Sequence, residues 1–464
     1  MADRVLRWLP LAMVGALLAW VAGRAARPIS DPDDWWHLRL GNDLIAQRSL
    51  STPDHWSSFA TLHWVPTEPL PEIVAAYVER WSGLPGLAVL FCLGACVVVI
   101  TVQLTNRREA ALLPATVATL FAVLAASGSL TSRPQLVSFV LLPIVLAAWL
   151  RTEHDLKPRW WLLPLTWLWS LCHGFWLFGV GVGFAVVVGI ALSRRARRSE
   201  LARLAAVAVG SLLVVGLNPV GPGVLEAPFA VRSTSQYILE WHRTDLSQSG
   251  PLGAAVMIVA TVVIWTMTRR GVTWARALLL VTAAFLLWYS ARLVVVAGLM
   301  SAPLFAQALQ SLVVGTDPPN DVGVSRSERW TMAVAALLCV AGVAVAAPQV
   351  ADEPSGVPVA LDASLDRLPP GTPVFNAYEL GGWIAWRHPQ LEQYVDGLIT
   401  PYSLPHVRDY VRAEATAPGW YRVVLDSGAP VAVLGSRSAL AAALEQKGWS
   451  PEKSSAGYVL LQRP

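Results

Sequence analysis

Three carboxylates stand within four residues in Asp31-Pro32-Asp33-Asp34, and Trp35, Trp36 and His37 follow at once. Acidic groups this close repel one another unless water or a cation screens them, so the cluster suits a divalent metal or the acceptance of protons. An ordinary solvated acidic loop has the same composition, and the motif alone leaves both readings open. A second polar and aromatic stretch, His63-Trp64-Val65-Pro66-Thr67-Glu68, precedes an amphipathic segment from Pro71 to Trp81. Its Glu68 reads as a further acid or as a helix N-terminal residue favoured by the dipole. Arg133, in Thr131-Ser132-Arg133-Pro134-Gln135, and Arg292, after Tyr289-Ser290-Ala291, each border long apolar runs. Each suits a phosphate or carboxylate partner, with a snorkelling side chain as the alternative. Together they could grip a lipid phosphate. His173 lies in a nearly uncharged run, where an ionisable group is a functional candidate. Asn218-Pro219 and Glu240-Trp241-His242 rank below the aspartates, since a lone Glu beside Trp is more often a surface residue.

The elements that carry these groups follow from composition. Of 464 residues, 55% are hydrophobic and 14% charged, against roughly 25% charged in a soluble domain. No single core hides that much apolar surface. The 22 Trp cluster near the ends of apolar runs, at Trp160, Trp161, Trp288 and Trp330, as an interfacial belt does. The net charge of +4 comes from residues between apolar segments, which marks cytoplasmic loops and speaks against nucleic acid as a partner. Cys92, Cys96, Cys172 and Cys339 all lie in apolar stretches without zinc or disulfide spacing. They read as small buried hydrophobes.

A span needs about 20 apolar residues, about 17 at the least. Such stretches fall near 8–26, 86–105, 110–127, 135–150, 160–175, 176–193, 201–218, 251–268, 273–290, 292–313 and 330–348. The fifth and sixth share one apolar run, divided at Cys172-His173-Gly174. With the N-terminus inside, Arg107 and Arg108, Arg151 to Arg159, Arg194 to Arg198, Arg269 and Arg270, and Arg326 and Arg329 all fall on the cytoplasmic side. The first apolar run, behind Arg4 and Arg7, reads as a retained span rather than a cleaved signal peptide, because the acidic motif needs anchoring. The expected fold is therefore a polytopic α-helical membrane protein of about 11 spans, N-terminus in and C-terminus out, with a small C-terminal α/β domain. Residues 1–348 form the membrane domain, including a first outer loop at 28–85, and 349–464 the extracytoplasmic domain. In the outer loop, Trp36, Leu40 and Leu44 share one face of a helix expected to lie in the membrane interface. In the tail, Pro373-Val374-Phe375, Gln393-Tyr394-Val395 and Pro430 to Leu434 read as strands between helices near 403–416 and 437–447. There is no Gly-rich phosphate loop.

This arrangement resembles the GT-C superfamily of membrane glycosyltransferases: an acidic motif in the first outer loop, two interfacial helices after it, and a multi-span body. It is similar in particular to a bacterial group whose recurring pieces correspond here to DPDDWWHLRLGNDLI, HGFWLFG, LNPVGPG, ILEW and FNAYELGGWIAWRHPQLEQYVDG. The resemblance implies transfer of a sugar from a polyprenyl-phosphate donor to a glycan, lipid or protein acceptor of the cell envelope, outside a bacterial plasma membrane. It makes Asp31 or Asp33 the general base or a ligand of magnesium or manganese. Asp34, Trp36, His37, Glu68, Arg133, His173, Glu240 and Arg292 become candidate substrate-binding residues. Asn376, Tyr378, Glu379 and Asp396 would shape an acceptor groove, or else serve as turn residues and caps. Two other readings compete. An inactive body presenting its tail to envelope components would not need the aspartates. A lipid or polysaccharide transporter would place paired ionisable groups at broken mid-membrane helices, which the sequence does not show.

Overall fold

A computed structural model describes residues 2–50, 56–230, 234–268, 272–314 and 323–464. Arg269 and Arg270, used above for orientation, lie outside the described residues. Two compact units result, one of Met1–Arg27, Ala88–Leu225 and Ser235–Pro348, the other of Pro28–Leu87, Glu226–Thr234 and Gln349–Pro464. The first outer loop, grouped with the membrane domain on sequence grounds, thus belongs to the same unit as the tail.

The first unit is a helical body. Its helices are α1 (Ala2–Ala25), the second half of α3 (Pro69–Asn106), α4 (Leu112–Ala126), α5 (Leu136–Asp155), α6 (Leu162–Ser170), α7 (Trp176–Leu192), α8 (Arg198–Leu213), α9 (Ser249–Thr268), α10 (Trp274–Tyr289), α11 (Val294–Val314) and α12 (Arg326–Val350). Among the described residues seven helices are long and apolar enough to cross a membrane, while α4, α7 and α10 are shorter apolar helices. The chain is a multi-pass membrane protein. At the fifth expected span, α6 has only nine residues, about 14 Å at 1.5 Å per residue. The stretch still runs the length of α5. Arg159, just before α6, donates to Asp155 at the end of α5 (2.8 Å), and the Trp169 indole donates to Ser138 Oγ in the first turn of α5 (2.7 Å). The turn at Leu171–Phe175 then leads into α7, so the division at Cys172-His173-Gly174 is a real chain reversal.

Close packing in the body relies on small residues, because lipid offers no hydrophobic drive between helices. A Cβ on Gly298 of α11 would stand 2.5 Å from that of Ala125 on α4. Charges gather at one end of the helices: Arg276 Nη2 donates to Glu109 (2.8 Å) and Arg276 lies 3.3 Å from Glu153, while Arg107 pairs with Glu328 (3.0 Å). These residues all neighbour loops counted as one side by their basic content. The opposite helix ends meet through Ser138, His173, Asn218, Glu240 and Arg292, described below.

The second unit is built on a five-stranded sheet of order β2-β1-β3-β5-β4, with β1 (Pro373–Asn376), β2 (Glu392–Gln393), β3 (Val431–Gly435), β4 (Ser450–Ser455) and β5 (Tyr458–Gln462). β1 runs parallel to β2 and β3, and β5 antiparallel to β3 and β4. The β4–β5 hairpin turns at Ala456 (φ 48°) and Gly457 (φ 85°), the paired left-handed geometry of a type I′ turn. Alternation along the strands separates two cores. Phe375, Ala432, Leu434, Val459 and Leu461 face one way, against Tyr410 of α14 (Leu404–Glu414) and Leu440 and Leu444 of α16 (Ala439–Gln446); α15 (Trp420–Asp426) adds Val424. Val374, Val431, Val433 and Leu460 face the other way, and there they meet Trp35 and Leu38 of α2 (Pro32–Gln47), Leu84 and Leu87 of α3, and Trp383 and Ile384 of α13 (Gly381–Arg387).

This packing changes the picture of α2. A helix lying in a membrane interface needs one apolar face, yet α2 is buried on two sides. Trp35 and Leu38 pack beneath the sheet, and Leu40 and Leu44 join Trp64 in a separate cluster with Trp36 against it. The helix is an internal member of the unit.

Candidate functional site

Asp31 caps α2. Its backbone is extended (φ −73°, ψ 121°), its Oδ1 accepts from Asp33 N at 3.1 Å, and Pro32 occupies the first helical turn. Aspartate in a cap and proline at the first helical position both favour a helix start. Asp33 and Asp34 follow in that turn, where the dipole stabilises negative charge. The three carboxylates part company there: Asp34 is buried, whereas Asp31 and Asp33 are half-buried. One turn of α13 closes over them. A Cβ on Gly382 would stand 3.1 Å from both Pro32 O and Trp36 N, and one on Gly397 would overlap Asp33 Oδ1 and stand 3.2 Å from Trp36 Nε1. Trp35 fixes the rotation of α2. It is fully buried, 5.0 Å edge-on from Trp383 and 5.2 Å stacked on Trp386, and Arg39 Nη1 donates to Ala385 O (2.9 Å).

The next turn of α2 meets α3. A Cβ on Gly41 would overlap the backbone carbonyl of Glu72, so only glycine permits this approach. His37, four residues earlier, is thereby carried to the same place: its Nδ1 lies 2.8 Å from Glu72 Oε1 and 3.7 Å from Glu68 Oε2. Pro69 and Pro71 fall in the first turn of α3, where proline is tolerated, and the helix breaks at Gly83 (φ 62°, ψ −162°) before its apolar spanning run. Burial, and then the neighbouring Glu68, push the Glu72 carboxyl well above the usual range. Among the described residues, the grouping with atoms placed to hold a metal ion is His37, Glu68 and Glu72; it does not include Asp31 or Asp33. Sequence reasoning missed Glu72 and Trp35. Two spacings of four, His37 to Gly41 and Glu68 to Glu72, carried the signal for the first.

In the helical body, three nominated residues come together. Glu240 accepts from Arg133 through Oε1 (3.1 Å) and from Arg292 through Oε2 (2.6 Å), and Arg292 lies over the Trp241 ring at 5.6 Å. One carboxylate thus bridges two guanidiniums. His173 is buried and held in place: its Nδ1 accepts from Phe175 N (3.2 Å) and lies 3.0 Å from Ser138 Oγ. Asn218 caps its own turn through Val220 N (2.9 Å) and donates to Ser170 Oγ (3.0 Å). The nominated residues thus form two groups, one in each unit.

The tail residues divide differently. Asn376 is buried and ties β1 to the next segment, donating to Val395 O and accepting from Tyr394 N, both at 2.8 Å. Asp396 is buried too; it accepts from Gln393 Nε2, Tyr402 Oη (both 2.9 Å) and Leu398 N (3.0 Å). Burial raises its pKa and these bonds oppose the rise. Both are framework residues rather than groove walls. Tyr378 is half-buried, and exposed Glu379 accepts from Tyr458 Oη at 3.1 Å.

No family model and no curated protein matches the chain. Solved structures do. The chain is similar to the apo oligosaccharyltransferase of Archaeoglobus fulgidus, with a TM-score of 0.61 at 13% identity over 92% of this chain and 69% of that one. The same enzyme tethered to an acceptor peptide with an NVT sequon gives 0.57 at 12% identity over 93% and 69%. Its complex with Zn and sulfate gives 0.54 at 14% identity over 91% and 68%. The chain therefore shares its fold with that oligosaccharyltransferase.

Proposed function

We propose that the chain is a glycosyltransferase that moves a sugar from a polyprenyl-phosphate-linked donor to an acceptor of the cell envelope, at the extracytoplasmic face of a bacterial plasma membrane. The observation that carries this reading is the capped turn Asp31-Pro32-Asp33, which keeps two half-buried carboxylates at the start of a helix fixed by the Trp35 stack. Asp31 or Asp33 takes the proton from the acceptor hydroxyl as it attacks the sugar carbon, and the lipid phosphate departs with the bonding electrons. Such a phosphate is a good leaving group, so the protein's task is to orient the acceptor and stabilise developing charge. In the helical body, Arg133 and Arg292 meet at Glu240 and are candidates for holding a lipid phosphate. Asp34 and Trp36 line the same helix turn as the base, and Glu240 ties Arg133 to Arg292. The likeness to an oligosaccharyltransferase whose structure holds an acceptor peptide supports the reaction class.

The test is a donor and acceptor screen. Purified protein in lipid is given a panel of radiolabelled polyprenyl-phosphate sugars with an envelope extract, and label is followed into glycan, lipid and protein fractions. Label moving into one fraction supports the reading. No transfer from any donor, while Asp31→Asn and Asp33→Asn still complement a deletion strain, favours an assembly role.

A further inference from the structure

The cluster beside Gly41 has chemistry that sugar transfer does not use. We propose that His37, Glu68 and Glu72 hold a divalent cation of the zinc type, through His37 Nδ1 and one oxygen of each carboxylate. The three ligand atoms lie within 4.8 Å of one another, and tetrahedral zinc, with bonds of about 2.0–2.2 Å, requires ligand separations of roughly 3.3–3.6 Å. Only a small adjustment closes the site. The second observation is Glu72 itself: its side chain is 1% exposed, and Oε2 has no hydrogen-bond partner. A buried carboxylate oxygen left in this way is costly unless a cation meets it. Two carboxylates balance a dication, so the filled site is neutral. A nitrogen ligand with two carboxylates selects zinc, and after it iron(II) or manganese, over magnesium and calcium, which take oxygen. Such an ion would clamp α2 to the first turn of α3, one turn from Asp33. The inference stands whether or not the chain transfers sugars.

The experiment uses the full chain, purified in lipid with its tag removed and dialysed against metal-free buffer. Metal content is measured by mass spectrometry, and thermal unfolding is followed with added zinc and, separately, magnesium. Wild type is expected to retain about one zinc per chain and to melt at a higher temperature with zinc but not with magnesium. Glu72→Gln and Glu68→Gln lose both the retained zinc and the zinc-dependent shift, and Asp31→Asn keeps them. Glu68 is the more exposed of the two acids, so its variant, with unchanged helix content and elution, separates lost metal from lost fold. A wild type that retains no metal and melts alike with and without zinc overturns the proposal. So does zinc that survives in both glutamate variants or disappears in Asp31→Asn.

Discussion

Gly397→Ala places a single methyl group against the proposed base from a position 364 residues away in sequence. The new Cβ would overlap Asp33 Oδ1, while Trp36 Nε1 at 3.2 Å and Cδ1 at 3.3 Å block its retreat. What gives way is the far end of a flexible side chain rather than backbone. The carboxylate moves by about an ångström, and a misplacement of that size in a reacting group costs about 100-fold in rate, or about 2.7 kcal/mol of barrier. Fold stability, by contrast, should stay within about 1 kcal/mol of wild type, since alanine also loses less backbone entropy than glycine. The assay pairs kcat/KM for sugar transfer with the melting temperature of the same preparation. A folded Gly397→Ala protein that turns over within twofold of wild type refutes the assignment of Asp33 to the chemistry.

Trp35→Ala removes a fully buried ring from between Trp383 and Trp386; a loss of about 3–5 kcal/mol is expected, read as a fall in the unfolding midpoint in denaturant. Asp396→Asn tests the buried carboxyl of the tail. Because burial raises its folded pKa, the folded state holds the proton more tightly than the unfolded chain. Its favourable contribution is full below the unfolded value of about 4 and is lost as pH rises through the folded value. Asparagine cannot ionise, and Gln393, whose Oε1 has no hydrogen-bond partner, can flip its amide to accept from it. The variant's melting temperature relative to wild type should therefore climb between pH 4 and neutrality; a flat or falling difference contradicts the assignment.

How far these features were legible in the sequence depended on the range of the interactions. Apolar runs located the long apolar helices, because bilayer thickness acts locally along the chain. The α6 stretch was harder, since its helix has only nine residues and its link to the start of α5 runs through the Trp169 side chain. Three strands of the tail, β1, β2 and β3, showed as short apolar runs. β4 did not: its residues Ser450–Ser455 are mostly polar and exposed at the sheet edge. The Asp31 cap was visible as a motif, but its partners Gly382 and Gly397 lie some 350 residues on, and nothing local announces them. The same holds for α2, whose sequence allows an interfacial helix and whose second buried face appears only once Trp35 meets Trp383. Arg133 and Arg292 were nominated together and Glu240 apart from them; that one carboxylate joins both arginines is a tertiary fact.

The central claim is that Asp31 and Asp33 supply the base for sugar transfer. The most direct test measures single-turnover transfer, with the donor and acceptor found in the screen, for wild type, Asp31→Asn and Asp33→Asn at matched melting temperature. The expected result is that at least one variant loses transfer by about 100-fold or more while still binding the polyprenyl-phosphate donor. Full transfer by both folded variants would contradict the claim and leave the chain without its proposed base.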